Sequence, residues 1–412
     1  MFKKIHDKLN NTFLKTLSNQ TPFFIFDKKV LLANFRKYKI CLPAKTEICY
    51  AMKANSEKPV LETLHKAGAS FEVASKYELA LLKEMNVSGE RIIYGTSVKP
   101  ENHIQEFVSY GVNRFAFDSL PELFKIWRQA PGAYVYVRVL VDDKSDSVFH
   151  MSEKFGTSLE EGINLLVKAK ELGLVPYGIS FNVGSQARNS HAWARGIHDI
   201  SRMMKILLKK DIKIKTINIG GGFPYNYQND NHIPDIKEIS RHIYLANKKL
   251  PYPVTYIAEP GRGLVANAFA LVTSVIGNTK RLNGHWLYLD AGAYSALLEA
   301  MIFQGSMRYR TAALYRKNFS RTKENFILTG PTGDALDVIN SRTVLPKNIE
   351  IGDKLVIYDT GAYTFTLTVS YNGFPKPKIL VSLKNNSHIG EINKNHLFGQ
   401  QIIRTLTSNL LT

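Results

Sequence analysis

Cysteine is almost missing: the 412 residues contain two, Cys41 and Cys49. Neither stands in a metal-type spacing, and two thiols cannot form a disulfide framework. That usage fits a reducing cytoplasm. No run reaches the ~18 consecutive apolar residues that suggest a transmembrane helix, so no membrane partner is expected. The opening MFKKIHDKLNNTFLKTLSNQ lacks both a long apolar centre and a small-residue cleavage site, which argues against a secretory signal. Its Phe2, Ile5, Leu9, Phe13 and Leu17 recur at roughly helical spacing and suggest a short amphipathic helix. Acidic residues are also scarce, 35 against 54 basic ones, giving a net charge of +19. Such an excess suits nucleic acid, an anionic membrane surface or small anionic ligands. The basic residues are spread out, with short clusters such as KKDIKIK, and no zinc finger, arginine-rich arm or RNP motif is present. Nucleic acid is therefore not expected as a partner; a lysine-rich solvated surface accounts for most of the surplus, and acidic small molecules are the secondary reading.

What is present alternates. FFIFD, EICYAMKA, SFEVAS, RIIYGT, RFAFD, YVYVRVLV, PYGISFNVG, IKTINIGGG and TYIAEPG are apolar, strand-like runs. Amphipathic helical runs such as VLETLHKAG and SLEEGINLLVKAKELG separate most of them, and Ser158 with Glu161 makes a capping box. Ser75 with Glu78 makes another. Strands alternating with helices predict parallel βαβ units. Their number favours a closed (β/α)8 TIM barrel over residues 23–270. Beyond it, HWLYLDAGAY, NFILTG, KLVIYDTGAYTFTL and PKILVSL predict a mainly-β domain over 271–412. The fold class is thus α/β, a barrel plus a C-terminal β domain, with residues 1–22 as an N-terminal segment packing on the β domain.

In such a barrel the active site lies where the strands end. Lys53 ends YAMK, and Glu72 lies within SFEVAS. Asn182 and Ser185 follow SF, Gly220, Gly221 and Gly222 follow INI, and Glu259 and Arg262 follow YIA. Bare glycine N–H groups, a hydroxyl and a guanidinium suit a phosphate. A carboxylate suits a ring nitrogen, and a lysine amine suits an aldehyde. Each group has a plainer reading: a tight turn, a surface salt bridge, a strand-end lysine in water. Together they describe pyridoxal 5′-phosphate (PLP), whose protonated ring takes up electrons from an amino-acid α-carbon.

The chain resembles the alanine-racemase-like, fold-type III PLP enzymes, and within them the ornithine, arginine and diaminopimelate decarboxylases, nearest the ornithine type. The motifs YAMKANS, FEVASKYEL, KFGTS, SFNVGSQ, NIGGGFP, AEPGR, DAGAY, GPTGDALD and DTGAYTFTLTVSYNGF occur in the family's order from about residue 22 to 385. The resemblance implies that Lys53 holds PLP and that Ser185, Gly220, Gly221, Gly222, Arg262 and Tyr363 grip its phosphate. It implies that Glu259 pairs with the ring nitrogen and that Tyr294 lies by phosphate and substrate. Asp334 would reach the substrate across a head-to-tail homodimer interface.

The chain departs from the family at several positions. The family's ring-stacking histidine is Asn182, a usual aspartate is Glu72, and an arginine before K-F-G is matched by His150. The family's cysteine in G-P-T-C-D, which returns a proton to the α-carbon, is Gly333, so the proton must come from water or another group, with Lys53 and His150 as candidate acids. A second acidic group expected near residue 303 is replaced by Phe303 and Gln304, with Arg308 and Arg310 beyond. A free distal ammonium would lose a charged partner there, a costly loss in a dry site. The expected substrate is therefore an ornithine with a blocked, acidic distal end, such as N5-citrylornithine, decarboxylated to citrylputrescine in rhizoferrin-type siderophore assembly. Free ornithine or another basic amino acid of polyamine synthesis is the alternative. A catalytically silent homologue that binds a partner protein is the alternative of another class.

Overall fold

A computed structural model describes residues 21–141, 147–149, 154–227, 232–303, 307–314, 318–382 and 389–391. Eight parallel strands close into a barrel: Thr46–Ala51, Ser70–Val73, Ile92–Tyr94, Arg114–Phe117, Tyr134–Arg138, Val175–Ser180, Thr216–Asn218 and Thr255–Ala258, the last pairing with the first. Parallel strands are covered on both faces, so they read as continuous apolar runs. Accordingly Ile48, Cys49, Tyr50 and Ala51 are all buried, as are Phe115, Ala116 and Phe117. Both capping patterns form: the Ser158 hydroxyl accepts from Glu161 N, and Ser75 accepts from Glu78 N. Glu78 in turn accepts from the N–H of Ala74, one residue before the cap.

FFIFD, the first run of the alternating pattern, is not a barrel strand. Phe23–Phe26 pairs antiparallel with Phe269–Arg281 and parallel with Lys378–Ser382 in the second domain's sheet. Phe23 packs there with Ala270, Val272 and Tyr358. Nothing in a four-residue apolar run says which sheet will take it; distant partners decide. The chain enters the barrel through helix Lys28–Cys41, whose N-cap Asp27 accepts from Lys29 N at 2.9 Å. The first 20 residues lie outside the described ones. Thr21 bonds to Asp290 at 2.6 Å within the β domain.

That domain has a nine-stranded sheet, in which Gly284–Leu289, Lys323–Thr329 and Val338–Pro346 continue outward from Phe269–Arg281. Lys354–Tyr358 pairs with the inner half of Phe269–Arg281. The strand within KLVIYDTGAYTFTL stops at Tyr358, and DTGAYTFTL is a loop carrying left-handed φ values of 64° at Asp359 and 55° at Tyr363. This loop comes back to the barrel mouth.

At the other end of the barrel, Arg114 forks onto both oxygens of Glu47 at 2.6 and 3.0 Å and bonds the Glu90 carbonyl at 2.5 Å. Burial pushes the Glu47 carboxyl up, but the bonds and charge of Arg114 outweigh it and hold the group below the usual range. Arg114→Ala should cost about 2 kcal/mol in urea unfolding at pH 7, less than the ~3–5 kcal/mol of breaking a fully buried pair, because Glu47 stays 31% exposed. A depressed carboxylate stabilises above its unfolded pKa of about 4.3 and loses that contribution as pH falls further. The gap between wild type and Arg114→Ala should therefore narrow below about pH 4.

Candidate active site

Lys53 sits in the single turn Met52–Ala54, just past the strand Thr46–Ala51 rather than inside it. Its ammonium is 3.6 Å from Oε2 of Glu72, a carboxylate that is itself buried. The charge of Glu72 raises the Lys53 amine above its ordinary range; burial opposes this, and Tyr363 and Glu259 add to it. Glu72 has room because the facing residue is Gly95, where a Cβ would stand 2.5 Å from Glu72 Oε1.

Glu259 follows the strand Thr255–Ala258 and accepts from Asn218 Nδ2 at 2.6 Å. Asn218 Oδ1 accepts from the Gly220 N–H at 2.9 Å. That bond fixes which end of the amide faces Glu259, since an N–H must meet the oxygen. Burial and the Glu72 charge push Glu259 up to about 7, against Lys53 and Asn218, which pull it down. Two carboxylates and one amine therefore share the barrel mouth.

The glycine run is shaped by close backbone packing. Gly220 and Gly222 have φ of +62° and +84°, and a Cβ would lie 2.3 Å from Phe181 O and 2.4 Å from Gly184 O. Only glycine tolerates both demands. The Gly220 N–H is committed to Asn218, so it does not serve a phosphate as the resemblance implied. The N–H groups of Gly221 and Gly222 have no partner among the described residues. Asn182 lines the cleft and uses its Oδ1 to accept from Gly184 N at 2.9 Å, so it shapes this turn as well as facing the site.

Arg262 also differs from expectation. Its fork is not free: both terminal nitrogens bond the buried Glu299, at 2.7 and 2.6 Å, and one reaches the Tyr227 hydroxyl at 3.0 Å. Its Nε is buried without a hydrogen-bond partner. The Tyr363 ring lies 4.6 Å from the guanidinium carbon. Three bonds pin the loop of Tyr363 to the Lys53 turn: Tyr363 N to Ala54 O at 2.7 Å, Asn55 Nδ2 to Gly361 O at 2.8 Å, and Thr366 Oγ1 to Lys53 O at 2.9 Å. These bonds hold Tyr363 in a left-handed conformation that few side-chain-bearing residues adopt.

Lys53, Asn182, Ser185, Gly221, Gly222, Glu259, Arg262 and Tyr363 thus line one cleft. Other expected residues stand apart. Tyr294 donates to Asp334 at 3.0 Å and stacks on Tyr371, and neither Tyr294 nor Asp334 lines the cleft. Gly333 is exposed, with open space where a Cβ would be. Phe303 is buried in the core at the end of helix Leu298–Ile302. Arg310 is bound to Asp359 at 2.6 Å. His150 and Gln304 lie outside the described residues. Sequence reasoning missed Gly95, Asn218, Tyr227 and Glu299. The available signals were weak: a lone amide in TINIGGG and a lone acid in SALLEAMIF.

The donor set fits PLP. An unpartnered Nε–H, two bare N–H groups and the Ser185 hydroxyl suit a phosphate. Glu259 suits a ring nitrogen, and Lys53 suits an aldehyde. Among the described residues no cluster of three or more histidine, cysteine or acidic side chains could hold a metal, and no helix is long and apolar enough to cross a membrane.

Known proteins agree. Residues 29–266 match the pyridoxal-binding domain of the pyridoxal-dependent decarboxylases. The chain is 31% identical to a lysine/ornithine decarboxylase of Selenomonas ruminantium, over 89% of this chain and 91% of that one. It is 30% identical to antizyme inhibitor 2 of Xenopus laevis, over 88% and 81% of the two chains. The arginine decarboxylase of Paramecium bursaria Chlorella virus, solved with agmatine, superposes with a TM-score of 0.83 at 29% identity, over 92% and 100% of the chains. The chain belongs to the pyridoxal-dependent amino-acid decarboxylases, and PLP is its cofactor.

The raised Glu259 has a measurable consequence in the cofactor-free protein. A carboxyl whose folded pKa exceeds its unfolded value binds more protons when folded, so stability falls as pH rises between the two. Here that window runs from 4.5 to about 7. Thermal melts across it should slope downward in the wild-type apoprotein and less steeply in Glu259→Gln, where Glu78, pushed up to about 7 by burial, still titrates in the same window. Equal slopes would place the titration elsewhere.

Proposed function

We propose that Lys53 holds PLP in this cleft and that the reaction is α-decarboxylation of an ornithine-like amino acid with an acylated, acidic distal end. The concrete case is N5-citrylornithine giving citrylputrescine in rhizoferrin-type siderophore assembly. When bound, the cofactor supplies an electron sink for the carbanion left by loss of carbon dioxide. Glu259, whose carboxyl is pushed up to about 7, would pair with the ring nitrogen and hold a proton there. The Lys53 amine yields its place to the substrate's amine. Glu72 then favours its ammonium form, which makes Lys53 a proton donor for the α-carbon. His150 is the second candidate, and Gly333 offers no side chain for the task. Asp334, bonded to Tyr294 away from the cleft, would serve the site of a second chain in a homodimer. Two free cysteines suit a reducing cytoplasm.

One observation carries the substrate preference. Across residues 295–310 the sole carboxylate is Glu299, and both its oxygens are taken by Arg262. That segment offers no free charge to a distal ammonium, while Arg308 is exposed within it. The relatives' names support the coarser reading of a basic amino-acid skeleton. Free ornithine is the competing substrate.

Carbon dioxide release should be measured over ornithine, lysine, arginine, diaminopimelate and N5-citrylornithine. The citryl compound should have the highest kcat/KM, by about tenfold or more if a missing charged contact decides between them. A higher value on free ornithine contradicts the preference. Release from none of the five, with PLP bound, would favour the silent homologue. Lys53→Ala should lose both turnover and the yellow absorbance of the loaded protein.

A further inference from the structure

Arg262 would be an ordinary phosphate-binding arginine if its fork faced the cleft. Instead Glu299 grips both terminal nitrogens, and each side chain of the pair is only about one-twentieth exposed. Tyr227 accepts a further bond from Nη1, Met307 Sδ lies 3.9 Å from the same nitrogen, and the Tyr363 ring lies against the guanidinium. Its Nε is buried and unpartnered, in a residue that lines the cleft. Glu299 stands on the short helix Leu298–Ile302, and its carbonyl accepts from Phe303 N at 2.9 Å.

An arginine has five N–H donors in a rigid fork. Glu299 takes two of them and Tyr227 a third, which leaves the Nε–H and one further Nη2–H; of these atoms only Nε is buried with no partner at all. Glu299 also cancels the charge of Arg262, so attraction between net charges is weakened and donor direction must carry recognition. From this pairing we infer that Glu299 is a positioning residue: it fixes the Arg262 Nε–H, alongside the bare N–H groups of Gly221 and Gly222, toward the phosphate end of the cofactor. The role rests on the PLP reading of the cleft. Glu299→Gln would set the new amide N–H against one terminal guanidinium N–H. Two donors cannot bond each other, so the fork would turn and the Nε–H would lose its aim.

The test compares PLP with pyridoxal, which lacks the phosphate, by titration of the cofactor-free protein followed by tryptophan fluorescence. In Glu299→Gln the Kd for PLP should rise about tenfold, the weight of one hydrogen bond to a charged group, while the Kd for pyridoxal stays within about twofold. Glu299→Asp retains the charge and protects the fold. Its carboxylate is one methylene shorter, and it should weaken PLP about threefold, again sparing pyridoxal. Unchanged or tighter PLP binding in the variants overturns the role, and tighter binding would mean that Glu299 competes with phosphate. An equal loss for PLP and pyridoxal would mean a merely structural role and also overturns it. Failure of the wild type to bind PLP at all would overturn the cleft reading first and this role with it.

Discussion

Lys53 and Glu72 face each other at the barrel mouth at 3.6 Å, with Glu259 close enough for its charge to be felt by both. One amine cannot neutralise two carboxylates. The result is an amine held above its ordinary range and a Glu259 carboxyl lifted to about 7. Arg138 adds a further positive charge that acts on both Lys53 and Glu259. Other features serve this cluster. Gly95 leaves space for Glu72, and Asn218 aims its amide at Glu259 because the Gly220 N–H holds the other end.

The second constraint is the seam between the two domains. The barrel supplies Lys53, Glu72, Glu259 and the glycine turn, but Tyr363 and Glu299 come from beyond it. Three bonds join the loop of residues 361–366 to the Lys53 turn. A second tie runs through Tyr225, whose hydroxyl bonds Asp359 at 2.6 Å and Arg310 at 2.9 Å, while its backbone bonds Gln186 beside Ser185. Arg310, which in the sequence looks like a basic group for an anionic substrate, is spent on this tie. Phe23–Phe26 adds a further link: it lies between strands of the β-domain sheet and leads directly into the barrel's first helix.

The barrel was legible because its strands are buried on both faces and punctuated by amphipathic helices with recognisable caps. Most residues that line the cleft were legible because they fall at strand ends in ordered motifs. What the sequence hid is pairwise. It did not reveal that Arg262 bonds Glu299, 37 positions away, since neither motif nor period links them. It did not reveal that FFIFD leaves the barrel, because a short apolar run does not encode its partners. The run Phe269–Arg281 bridges the expected domain boundary, and its sequence gave no sign that one strand would serve two sets of neighbours. Tyr294, Gly333 and Asp334 were placed by resemblance, and in the single chain they do not line the cleft of Lys53.

The central claim is that Lys53 is the amine that carries the cofactor. The protein also holds a buried lysine, Lys99, whose ammonium donates to three backbone carbonyls. The direct measurement is borohydride reduction of the PLP-loaded protein, followed by mass mapping of the modified peptide. The account predicts one pyridoxyl group per chain, on Lys53. A label on Lys99, or one scattered over surface lysines, would contradict it.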